Sequence, residues 1–97
     1  MTYQHTTILI RPDISSEFFT FTPSVQAYVK ATYEDTGKVQ NVYTISPDGL
    51  SKELQKTWID HETSLQFATD PALQEEFARR DAYMVERGHT YQSFPTP

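Results

Sequence analysis

The chain has 97 residues, 37% hydrophobic and 22% charged, with a formal net charge of −5. That composition leaves room for one modest core and belongs to neither the disordered nor the membrane class. The acidic balance, with Arg and Lys scattered apart from Arg79-Arg80, argues against a nucleic-acid partner, and no apolar run approaches the roughly 18 residues of a membrane span. Cysteine is absent, which excludes disulfides, thiolate metal ligands and cysteine nucleophiles. The start, MTYQHTTILIRP, lacks the basic-then-apolar layout of a secretory signal, so a cytoplasmic protein is expected. Aromatic residues make up 13%: six Tyr, six Phe and one Trp. So many rings either fill a ring-rich core or line a pocket or subunit interface.

Taken in chain order, Thr6–Pro12 (TTILIRP) is β-branched and apolar and ends at a proline, which predicts a strand with Ile8 and Ile10 on one face and Leu9 on the other. Residues 13–21 (DISSEFFTF) alternate weakly and are read as a connection with aromatic anchors. Residues 22–37 carry helix punctuation: Thr22 suits the N-cap, Pro23 the first helical position and Gly37 the left-handed position after the end. Val25, Val29 and Thr32 form its stripe, flanked by Tyr28 and Tyr33. A strand is predicted over Lys38–Ile45, with Val39, Asn41, Tyr43 and Ile45 on one face. The turn Ser46–Gly49 (SPDG) then leads into a hairpin partner, Leu50–Ile59, with Leu54 and Trp58 on one face. Asp60 can cap a short helix, His61–Thr69, and Asp70 with Pro71 a second one ended by Gly88. In that second helix Leu73, Phe77 and Met84 share a face, and Glu75–Arg79 and Glu76–Arg80 are i,i+4 pairs. His89–Phe94 is a last strand.

This order, βαββαβ, predicts a single α+β domain over residues 1–97. Its plan is the ferredoxin-like split-βαβ one, an antiparallel sheet with its helices on one face. Apolar residues occur at both parities along the strands: Ile8 and Ile10 against Leu9, Tyr43 and Ile45 against Val42, Trp58 against Ile59. A sheet apolar on both sides needs a second cover, and a second copy packed about a two-fold axis supplies one, so a homodimer is expected.

The run TWIDHETSLQFATDPALQEEF, from Thr57 to Phe77, resembles the join between third strand and second helix in the dimeric α+β-barrel superfamily. It is most similar to small proteins like the antibiotic-biosynthesis monooxygenases. Trp58, Asp60, Leu65, Phe67, Pro71 and Phe77 carry the likeness. The family's glutamate-rich first helix is missing, and the connection at 13–21 is longer than usual. The resemblance implies a dimeric α+β barrel, with Trp58 fixing helix against sheet at the mouth of a cavity or touching its contents. It also implies cofactor-independent oxygenation of a small aromatic or apolar molecule. A non-catalytic ligand-binding or interaction module on the same scaffold is the alternative.

Polar groups for such a cavity could come from Asn41, Tyr43, Arg80, Tyr83, His89 and Tyr91. Arg80 falls inside the apolar stripe of its helix, where its stem can cover the core while the guanidinium reaches Glu76, water or an anionic ligand. His89 opens a strand after a glycine, where a solvated imidazole and a general base are both open. His5, His61 and His89 have no metal-ligand spacing, and neither a phosphate-cradling loop nor a nucleophile motif is present, so no metal or flavin is expected. Haem-degrading members of the superfamily use an Asn, a Trp and a second-helix His. Asn41 and Trp58 match, but Phe77–Arg80 offers no histidine, which disfavours haem.

Overall fold

Local chemistry sets most element ends in the computed structural model, which describes Met1–Pro97. Strand β1 spans Tyr3–Ile10, β2 Val39–Ile45, β3 Ser51–Trp58 and β4 Thr90–Pro95; helix α1 spans Pro23–Val29, α2 His61–Thr69 and α3 Gln74–Arg87. Strand β1 begins earlier than the apolar run predicts because Tyr3, Gln4 and His5 pair with Trp58, Thr57 and Lys56. Asp60 caps α2 by accepting from the Thr63 N–H at 2.7 Å, and Asp70 accepts from the Ala72 N–H at 2.9 Å. The Asp70-Pro71 start yields a 3₁₀ turn, Pro71–Leu73, before α3 proper. Gly88 ends α3 at φ 71°, the left-handed conformation a Cβ would strain.

The first helix departs from its prediction in two ways. It widens into a π turn over Lys30–Glu34, with the Asp35 N–H bonded to the Lys30 carbonyl five residues back. The Thr22 hydroxyl makes no capping bond; instead the Thr22 N–H donates to Glu76 of α3 at 2.7 Å. Glu76 therefore does not pair with Arg80. It is buried and held by Arg79 at 2.7 Å, one turn away, while Arg80 turns to Asp81.

The four strands form one antiparallel sheet in the order β2-β3-β1-β4, compatible with the ferredoxin-like plan, and the three helices lie over one face. Register phases the strands. Tyr3, His5, Thr7 and Leu9 share the helix side with Trp58, Lys56, Leu54 and Lys52, and with Val39, Asn41, Tyr43 and Ile45. The other face carries Gln4, Thr6, Ile8 and Ile10 beside Ser51, Glu53, Gln55 and Thr57, with Gln40, Val42, Thr44, Gln92 and Phe94. The sheet is thus not apolar on both sides: four apolar side chains stand among threonines and amides. Ile59 lies beyond the strand end, exposed.

The packed core occupies one end of the helix–sheet layer. Val29, Tyr33, Val39, Trp58 and Leu73 are buried there, with Leu73 fully enclosed. Asp70 ties the core to its lid, accepting from the hydroxyls of Tyr28 at 2.6 Å and Tyr33 at 2.7 Å. These two bonds hold the Asp70 carboxyl below the usual carboxylate range, and Arg79, ahead of the Thr22 N–H, lowers Glu76 from 4.5 to about 2. A carboxylate with a depressed folded pKa contributes stability that is whole above its unfolded pKa and is lost as pH falls. For Glu76 the window runs from 4.5 down to about 2. Thermal melts across that window should show steeper acid loss for the wild type than for Glu76→Gln; parallel acid profiles would contradict the assignment.

Candidate functional site

The helices cover the sheet closely only at the Val39–Trp58 end. Toward the other end they stand off, and an open cleft of about 800 Å³ separates the two layers. Its floor is the helix-side face of the sheet: Leu9, Tyr43, Leu54, Lys56 and Tyr91. Its walls are Phe18, Phe19 and Phe21 from the connection before α1, Leu65 and Phe67 from α2, and Phe77, Arg80 and Met84 from α3. The connection read as aromatic anchors therefore forms a cleft wall. Packing among these rings is direct: Phe67 lies 5.6 Å from Phe77 and 5.2 Å from Trp58, and Phe21 lies 6.2 Å from Phe77. Edge-to-face and tilted contacts at these spacings are the favourable ones for aromatic pairs.

Asn41, Tyr43, Trp58, Arg80, His89 and Tyr91 all line this space, as does Glu34 of the π turn. Trp58 is both anchor and lining: it is 3% exposed, with one side in the core and the other toward the cleft. Tyr43 and Tyr91 are more than half exposed, at 57% and 53%. Burial, with Glu34 nearby, raises the Tyr43 phenol. Tyr83 is not part of the lining. Its hydroxyl donates to the Glu17 carbonyl at 2.7 Å, and its ring lies between Phe19 and the Arg87 guanidinium. The reason is the pitch of α3, which turns Arg80 and Met84 to the cleft and Tyr83 to the side facing the Glu17 segment.

His89 is buried rather than solvated, and its Nε2 lies 2.6 Å from the Ser16 hydroxyl, between the rings of Phe18 and Tyr83. Burial first, then Arg87 and Arg11, holds it below the usual histidine range, so the neutral imidazole dominates near pH 7. Arg80 has one charged partner, Asp81, at 3.2 Å, and its guanidinium lies 5.0 Å from the Phe77 ring centre. That pair is largely exposed and weak.

The residue that sequence reasoning passed over is Lys56. It sits on the inward face of β3 between Leu54 and Trp58, directly across from His5 on β1 and Asn41 on β2. Its Nζ donates to Asn41 Oδ1 at 3.0 Å and lies 5.5 Å from the Phe67 ring centre. Asn41 in turn donates to Glu34 at 3.3 Å. No carboxylate pairs with the Lys56 ammonium directly. Burial lowers its pKa, only partly opposed by Glu34, and burial together with Lys56 lowers His5. Strict alternation around Leu54 and Trp58 was the available signal, since it puts every even residue of the strand on the same face.

The electrostatics are lopsided. A chain of net charge −5 lines this cleft with Lys30, Lys52, Lys56 and Arg80 against one acid, Glu34. Lys30 is satisfied by Asp35 at 2.6 Å and burial disfavours the charged form of Lys56, which leaves Lys52 and the weakly paired Arg80 to set the field. A concave, low-dielectric surface focuses such a field on whatever enters. Elsewhere, no three His, Asp or Glu side chains converge to hold a metal ion, and no helix is long and apolar enough to cross a membrane. Compared with known proteins, the chain matches no family model and no curated sequence.

Proposed function

We propose that this protein binds a small aromatic or apolar molecule bearing an acidic group in the cleft between sheet and helices. One observation carries the reading: a ring-walled space of about 800 Å³ lined by three lysines and an arginine against a single carboxylate, in an otherwise acidic chain. Rings supply the burial, and Lys52 and Arg80 supply the attraction for an anion. Titration with 4-methylbenzoate, followed by Trp58 fluorescence, should saturate, while neutral 4-methylbenzyl alcohol should bind more weakly. Equal binding of the two, or none of either, would overturn the reading.

The catalytic form of this function is cofactor-independent oxygenation. A CH₂ beside the ring loses one proton, and the carbanion gives its electrons to dioxygen and forms a C–O bond; the second C–H bond and the O–O bond then break, leaving C=O on the substrate and releasing one water. Two imidazoles that burial holds neutral line the cleft, His5 on its floor and His89 beside Ser16, and His5, with only the distant Ser93 hydroxyl at 3.3 Å, is the freer to act as the base. The non-catalytic form, a carrier or sensor, uses the same cleft. Oxygen uptake in the presence of a bound ligand separates them.

We also propose that two copies pack sheet to sheet in the manner of a dimeric α+β barrel. The support is the sheet face bare of helices, where Val42 is 58% and Ile10 and Phe94 each 37% exposed. Sedimentation should give a mass near twice 11.2 kDa; a species at 11.2 kDa at micromolar concentration would rule it out.

A further inference from the structure

The amine of Lys56 has surroundings unlike those of any other lysine in the chain. Lys30 is exposed and paired with Asp35, and Lys38 lies near the Tyr33 ring at 5.8 Å. Lys52, on the cleft floor, lies 5.2 Å from the half-exposed ring of Tyr43. Lys56 is set in a rigid central strand and lines the cleft beside Phe67, with one amide oxygen as its hydrogen-bond partner. His5, whose imidazole is held neutral chiefly by burial, stands directly opposite in register on the same face and brings no carboxylate. Desolvation against an aromatic wall, with an amide oxygen and no carboxylate for a partner, favours the unprotonated, nucleophilic form of a lysine amine.

We propose that Lys56 captures the carbonyl of an aromatic aldehyde carrying an acidic group, forming an imine in the cleft. This names the ligand class and rests on the reading of the cleft as a site for aromatic anions. The amine lone pair attacks the carbonyl carbon and a proton passes from nitrogen to oxygen. The carbon–oxygen bond then breaks, with release of one water as the C=N bond forms. Asn41 orients the amine through its side-chain oxygen, and its own amide is held in turn by Glu34. Lys52 lies two residues along the same strand face, placed to meet the ligand's carboxylate. Burial lowers the Lys56 pKa, in keeping with this role.

The test uses 4-carboxybenzaldehyde with cyanoborohydride at pH 7, followed by peptide mapping. The adduct is expected on Lys56 about tenfold or more ahead of Lys30 and Lys38. Excess 4-methylbenzoate, which cannot form an imine, should protect Lys56 while leaving surface lysines reactive. Lys56→Arg should abolish the adduct at that position; whether or not that variant folds, protection of Lys56 by 4-methylbenzoate in the wild type decides. Binding of 4-methylbenzoate without a Lys56 adduct, or with all lysines labelled alike, would overturn the imine and leave the cleft reading intact. Neither binding nor labelling would overturn both.

Discussion

Trp58→Ala is expected to lower the folding free energy by about 3–5 kcal/mol, the usual range for emptying a large aromatic site in a core. Trp58 joins the two ends of the helix–sheet layer. Its ring meets Tyr33 edge-on at 6.0 Å and Phe67 at 5.2 Å, and it shares the core with Val29, Val39 and fully enclosed Leu73. Because the cleft opens beside it, water can enter part of the vacated space, which places the expectation in the lower half of the range. A domain of this size has on the order of 5–15 kcal/mol to lose, and each kcal/mol moves the melting temperature by about 4–8 °C. Thermal and urea melts followed by circular dichroism measure the change without needing the indole. A loss under about 1 kcal/mol would mean that Phe67 and Tyr33 hold α2 to the sheet unaided.

Arg80→Met separates binding from folding. Methionine keeps most of the apolar stem that α3 presents beside Phe77 and Met84, and the lost pair with Asp81 is exposed and worth little. The melt should therefore move by less than about 1 kcal/mol. Affinity for 4-methylbenzoate should drop by about 1–3 kcal/mol, roughly ten- to a hundredfold, since a cation facing the ligand anion is removed from a partly desolvated wall. Binding of 4-methylbenzyl alcohol should barely change, as it gives the guanidinium no charge to meet. Unchanged affinity for the benzoate would remove Arg80 from the site. A stability loss with unchanged affinity would make its stem a packing element only.

Local chemistry was legible in the residues alone. Asp60 before His61, Asp70 before Pro71, Gly88 after Arg87 and the Ser46–Gly49 turn each act within four residues, so sequence determines them whatever the rest of the chain does. The element order and the antiparallel sheet followed from such signals. Trp58 as an anchor came with the family resemblance, and it is the tertiary structure that puts Asn41, Tyr43, Arg80, His89 and Tyr91 around one cleft. Alternation, however, sorts a strand into two faces without saying which face matches which on the next strand. Only register placed Leu9 with Tyr43 and left Ile8, Ile10 and Val42 on the opposite side, and with that the sheet ceased to be apolar on both faces. The same limit hid Lys56, whose meaning depends on His5, Asn41 and Phe67 arriving from three other elements. Glu76 bonding Thr22, and Ser16 meeting His89, join residues 54 and 73 positions apart, and no local preference encodes them. Helix and strand identity are properties of neighbouring residues, whereas the cleft is the gap left where three helices stop covering a sheet, and only tertiary packing decides where that gap lies.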